Sequence, residues 1–181
     1  MTTPQPTGRP NARMRQTVGD MVRSMGLVLA LIAVILLVTL RPQPEAVKVV
    51  DPTQVLIAAR TLAPFTVVVP EGLTGYQVTS ARWQETPASA GQPVLHLGYV
   101  TPETQYVQVS QSVADSVKFI EEQTAGGIAA DRVSIEGTAW QRYESPERQS
   151  LVRVGAGVTT VVSGTTTEGE LERVVHSLTA N

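Results

Sequence analysis

The chain has 181 residues, no cysteine, 4% aromatic residues and a formal net charge of −2. The missing cysteine excludes disulfide staples, thiolate-held metals, thiol redox couples and thiol nucleophiles. The total charge conceals a division: residues 1–23 hold Arg9, Arg13, Arg15 and Arg23 against Asp20, whereas from Pro42 onward nine basic residues face fifteen acidic ones, a balance of −6. So acidic a main body lacks the basic footprint that nucleic acid requires, and it argues against docking on an anionic membrane surface.

Residues 1–16 open with a Pro, Thr and Gln-rich stretch that has no apolar period, and they read as a disordered cytoplasmic tail. Thr17-Val18-Gly19-Asp20 has the spacing of a helix N-terminus, so an anchor helix is expected over 17–41. Its centre, residues 24–40, is an uncharged run flanked by Arg23 and Arg41 and apolar on every side. A solvent-facing helix shows a polar stripe instead. At about 1.5 Å per residue the run reaches roughly 25 Å, slightly short of a hydrocarbon core of about 30 Å. Arg23 and Arg41 close the gap by placing their guanidinium groups at the two interfaces. A cleaved signal is the competing reading. Pro44-Glu45-Ala46 is a poor cleavage site, so an uncleaved single transmembrane helix is preferred. The basic N-terminal flank stays cytoplasmic and sends the C-terminal part outside the plasma membrane.

Residues 42–50 form a tether, and 51–181 an extracytoplasmic domain large enough for one core. Asp51-Pro52 looks like a cap and first position of a short helix through Val55, Leu56, Ala58, Ala59 and Leu62. Packing of that helix on the domain is preferred to lying in the outer leaflet. Strands are expected at 65–69, 76–83, 94–100, 106–109, 132–136, 138–143, 151–154 and 158–162 from apolar runs and alternation. Ser112 is the expected cap of a helix over 113–124 with Val113, Val117 and Ile120 on its inner face, stopped by Gly126-Gly127. The last helix carries a Thr167-x-x-Glu170 capping box and a Leu171, Val174, Val175, Leu178 stripe. The fold class is α+β: a mainly antiparallel sheet with helices packed on one face.

RQTVGDMVRSMG, APFTVVVPEGL, VLHLGYVTP and ELERVVHSL, in that order, resemble the membrane-protein family catalogued as domain of unknown function 4245, which is found in high-GC Gram-positive bacteria. The outer part is also similar to ectodomains attached to some bacterial anti-sigma and sporulation membrane proteins. The resemblance implies a single-pass protein with an extracytoplasmic β-rich domain, and it brings no activity to transfer.

Candidate chemistry is sparse. His96 lies opposite Leu95 and Leu97 and reads as a wet-face strand residue; His176 falls on the polar side of the last helix. No G-x-S-x-G or S-x-x-K motif occurs, and Ser110, Ser112 and Ser116 read as strand-end and capping residues. Gly155-Ala156-Gly157 lacks the rest of a phosphate loop and reads as a strand connection. Glu121-Glu122 reads as solvated, and Glu168, Glu170 and Glu172 as acids favouring a helix N-terminus. No catalytic, cofactor or metal residues are assigned. The expected function is a non-enzymatic binding or sensing domain at the cell envelope, with the lipid bilayer and an envelope protein or apolar ligand as partners. A lipid or apolar-ligand carrier is the alternative; a roomy apolar cavity between sheet and helices would favour it.

Overall fold

A computed structural model describes residues 12–39, 47–155 and 157–180, with side chains in the first stretch described from 21 to 36. The chain divides into two compact units, residues 1–45 and 46–181.

The described residues of the first unit form helix α1, Ala12–Thr39. It begins before the expected Thr17. Residues 21–36 are exposed throughout, and the large apolar side chains show fractions from 45% at Ile32 to 73% at Leu27. Among the described residues no helix is long and apolar enough to cross a membrane. The expected span is therefore not met there; the apolar run continues through residues 37–40, past the described side chains. Arg23 is exposed, while Arg41, most of the tail and tether residues 42–46 lie outside the described residues.

The second unit is built on a seven-stranded antiparallel sheet. Its strands are β2 (Gln77–Glu85), β3 (Pro93–Val100), β4 (Tyr106–Ser112), β5 (Ile128–Ile135), β6 (Thr138–Glu144), β7 (Gln149–Gly155) and β8 (Val158–Gly164), in the order 2-3-4-8-7-6-5. Two more strands, β1 (Val68–Pro70) and β9 (Leu178–Ala180), pair antiparallel in a small second sheet. The helices are α2 (Thr53–Leu62), α3 (Ser116–Gln123) and α4 (Glu168–His176).

Alternation assigns the faces. Leu97, Val109, Val162 and Leu151 follow one another through the registers of β3, β4, β8 and β7 and point to one side. There they meet Ala59 of α2 and Leu171, Val174 and Val175 of α4. Val94, Val161 and Val152 point to the other side and meet Phe119 of α3. Helices thus cover both faces, which corrects the expectation of one. The reason is visible in β3 and β8, where Val94-Leu95 and Val161-Val162 are fully or almost fully buried neighbours. A strand apolar on both sides needs cover on both sides.

Several local expectations change in detail. The N-cap of α2 is Pro52, whose carbonyl accepts the Leu56 N–H at 2.9 Å, and Asp51 just before it accepts the Thr53 N–H on Oδ1 at 3.0 Å. The cap of α3 is Asp115, not Ser112: Asp115 Oδ1 accepts from Val117 N at 3.0 Å and Lys118 N at 3.1 Å. The inner face of α3 is Phe119 and Gln123, while Val117 is 73% exposed. The Thr167 side chain makes no cap bond; backbone bonds from Glu170 N and Leu171 N to Thr167 O start α4 instead. Helix α4 ends at His176, so Leu178 belongs to β9 rather than to the helix stripe. The apolar run 65–69 enters no ladder of the large sheet. The fully buried Gln111 side chain brackets Val68, donating from Nε2 to its carbonyl at 2.6 Å and accepting its N–H on Oε1 at 2.9 Å.

Two glycines give a clean test of packing at β8. A Cβ at Gly164 would press on the Tyr106 carbonyl oxygen and the Val107 Cα, both backbone atoms of the neighbouring strand. At Gly155 it would meet nothing within 4 Å. We expect Gly164→Ala to destabilise by about 1–3 kcal/mol, as overpacking does, and Gly155→Ala to be close to neutral, measured by urea unfolding.

Candidate functional site

The face beneath α3 is unusually polar for a covered surface. Gln108, Ser110 and Gln123 are brought to His96 by β4, β3 and α3. Gln108 Nε2 lies 3.2 Å from His96 Nδ1, 2.8 Å from Ser110 Oγ and 3.1 Å from Gln123 Oε1. Ser110 Oγ lies 3.0 Å from both His96 Nδ1 and Gln123 Oε1. Tyr106 closes the network by donating to Gln108 Oε1 at 3.0 Å. An amide N–H aimed at Nδ1 fits a neutral ring that accepts there and carries its proton on Nε2.

His96 is therefore buried, at 8% exposure, where the sequence suggested a wet face. Its direction on the strand agrees with the expectation; what differs is that α3 covers that side. Burial pushes His96 down from 6.5 to about 4, helped by the Arg82 guanidinium and opposed by the Glu122 carboxylate. Ser150 and Ser163, register partners in β7 and β8, extend the polar row, and their hydroxyls are buried without a hydrogen-bond partner.

Beside α3 the face opens. A groove of about 380 Å³ runs over β5–β7, lined by Ile120, Tyr143, Val152 and Val154 with Arg132 and Gln141 among its polar members. A second, of about 400 Å³, adjoins it through Ile120 and Tyr143 and reaches Val117 and Glu121. The wall is shaped by a bulge in β5 between Ala129 and Arg132. Gln141 holds that bulge, donating from Nε2 to Ala130 O at 2.7 Å and Asp131 O at 3.2 Å while accepting from Arg132 Nε at 3.0 Å. Such a surface has an apolar floor beneath a polar rim.

The opposite face has a charged cluster. Glu170, 8% exposed, takes the Tyr76 hydroxyl on Oε1 and the Arg173 Nη1 at 2.6 Å on Oε2. Glu170 therefore does more than favour a helix dipole. Burial and the Glu170 carboxylate push the Tyr76 phenol up to about 12, against the pull of Arg173. Arg142 is bound by Glu168, by Asp131 at 3.1 Å and by Glu172 at 3.5 Å. On the α3 side of the sheet, Glu122 accepts from Thr86 Oγ1 at 2.7 Å.

His176 stands on exposed ground, its Nδ1 3.1 Å from Glu136 Oε1. It belongs to α4 on the face opposite His96, so the two histidines are not brought together. Among the described residues no group of His, Asp and Glu is placed to hold a metal ion. Trp140 and Tyr99 are core residues at 2% and 8% exposure; Trp83 is half-buried against Phe65, and Arg153 lies over the Trp140 ring at 5.4 Å. Gly155 ends β7, paired with Val158, and Gly157 lies in the connection to β8; Ala156 is outside the described residues. The network under α3 is what the sequence reading missed. The polar alternation Gln108, Ser110, Ser112 in β4 was the available signal, but it is equally the signal of a solvated face.

The family model described as a protein of unknown function, DUF4245, matches residues 13–178, and the chain belongs to that family. No curated protein matches it.

Two predictions follow from the geometry. His96 binds a proton less readily folded than unfolded, so its contribution to stability is complete above about pH 6.5 and declines as the pH falls toward 4. The loss across that window is on the order of 3 kcal/mol. Urea unfolding between pH 4 and 7 checks it, and His96→Gln should flatten the slope. Tyr76→Phe removes a hydroxyl from a buried carboxylate and should cost about 1–2 kcal/mol at pH 7, read in the same assay.

Proposed function

We propose that this member of the DUF4245 family is a single-pass protein of the plasma membrane, with its N-terminus cytoplasmic and its acidic α+β domain outside, where that domain binds or senses a partner. The observation that carries this reading is α1, which from residue 25 to 36 exposes apolar side chains all round and offers water no polar face. Burial in lipid removes that surface from water, and the four arginines of residues 1–23 set the orientation. Binding rather than catalysis is favoured because the polar groups brought together are tied to one another in structural networks. The open grooves beside α3, with Tyr143 and Ile120 shared between them, are the natural contact surface.

The carrier alternative is less well supported. On the α4 side the apolar space near Val68, Ile135, Val175 and Leu178 amounts to about 110 Å³, whereas small-molecule pockets run to about 300 Å³ and above; the larger pocket there, of about 430 Å³, counts Glu71, Arg173 and His176 in its lining, which suits a polar rather than an apolar guest.

Alkaline carbonate extraction and protease shaving of intact cells test the reading. Retention in the membrane pellet, with loss of residues 47–181 to external protease, is the expected outcome. Extraction into the supernatant, or a domain spared until the cells are lysed, would overturn it.

A further inference from the structure

We infer that α3 and its C-terminal stop form a movable cover, which lifts from the sheet while the rest of the unit stays folded and so lengthens the neighbouring groove. The inference goes beyond the proposed function: it concerns motion within residues 46–181 and does not depend on the anchor.

The floor of the groove does not end at α3. Tyr143, part of the groove lining, is the register partner of Ser150 in β7; Ser150 is the partner of Ser163 in β8, and Ser163 of Gln108 in β4. The four residues form one row across the sheet. Tyr143 is half-buried, whereas Ser150 and Ser163 are buried. The far end of the row is held under α3, where Gln108 Nε2 donates to Gln123 Oε1 at 3.1 Å. Displacing α3 therefore uncovers a hydrogen-bonding continuation of the same floor rather than a separate site.

The closed position is weak in three respects. Its apolar attachment rests on Phe119, fully buried against Val94, Val152 and Val161, with Ile120 partly buried beside it. The remaining attachment, Gln123 to Gln108 and Ser110, is of a kind that water replaces with little net loss. Closure also leaves the Ser150 and Ser163 hydroxyls buried without a hydrogen-bond partner. Water reaches them when the cover lifts, so their hydration favours the open state. The third weakness is the helix stop. Gly126 N–H donates to Glu121 O at 2.8 Å and Ala125 N–H to Glu122 O at 3.3 Å. This pair of bonds belongs to a helix ending that ordinarily places glycine in the left-handed position. Here Ala125 occupies it, at φ 55°, and the glycines follow one and two places later. A Cβ in that region is strained, and release of α3 relieves the strain.

Because the chain has no cysteine, a single introduced thiol reports on its own position. Ser163→Cys and Val162→Cys are neighbours on β8 that face opposite sides, Val162 lying in the main core. Each is made in the full chain in detergent micelles and labelled with a chromogenic aromatic disulfide. Each rate is divided by that of the same variant unfolded in urea. Ser163→Cys should react about tenfold faster than Val162→Cys or more, at a rate nearly independent of urea below the unfolding transition, since local opening exposes little surface. Ala125→Gly, added to Ser163→Cys, should slow its labelling several-fold. Equal rates with the same steep urea dependence would mean that the cover leaves only when the whole unit unfolds, and would overturn the inference. Fast labelling at position 163 that Ala125→Gly leaves unchanged would mean that the reagent passes a stationary α3, and would overturn it too. Should Ser163→Cys fail to fold, Ser150→Cys against Leu151→Cys makes the same comparison on β7.

Discussion

Three adjacent strands of the large sheet, β3, β4 and β8, are buried on both sides, and the architecture of the second unit follows from that constraint. In β3 the buried run is unbroken from Val94 to Tyr99, and every residue of β8 from Val158 to Gly164 is buried. Backbone groups in such strands are satisfied laterally, by the ladders β3–β4, β4–β8 and β7–β8. Their side chains then require two separate covers. One is large and aliphatic, made by α2, α4 and the β1–β9 pair. The other is small, with Phe119 of α3 as its largest member.

The inequality of the two covers explains where the polar chemistry sits. Helix α3 is only eight residues long and cannot reach across seven strands. Beneath it, beside Val94, Val152 and Val161, the sheet places amides, hydroxyls and one imidazole, of which Gln108, Ser110 and His96 are satisfied together with Gln123 of the helix. Beyond it the face is left open over β5–β7, where Tyr143, Val152 and Val154 form the groove floor. Gln111 applies the same economy on the other face: its side-chain amide does for Val68 what a neighbouring strand would have done.

How much of this was legible varied with how local the signal was. The β3–β4 hairpin, the β5–β8 meander and α4 stand within a few residues of where alternation and helical period put them. Helix α3 was found, but with its inner and outer faces rotated: Val117 is exposed while Phe119 is fully buried. Over eight residues two helical faces fit the same sequence, and the large side chain decides. Strand β9 was read as the end of α4, because Leu178 continues the helical period; its pairing with β1, over a hundred residues away, outweighs that period. The Thr167–Glu170 pair has the letters of a capping box, yet Glu170 is drawn to Tyr76 and Arg173, partners that local spacing does not reveal.

The sequence by itself determined what depends on one segment or on composition: an apolar rod between arginines, a basic arm and an acidic body, the exclusion of thiol chemistry, and strands with short connections. The tertiary structure alone decided which surfaces are covered. His96 is the clearest instance: its position on β3 points it away from Leu95 and Leu97, as alternation requires, but only the docking of α3 turns that side from wet to buried. Alternation specifies direction, a property of the strand; burial depends on which distant element arrives over it, a property of the whole chain.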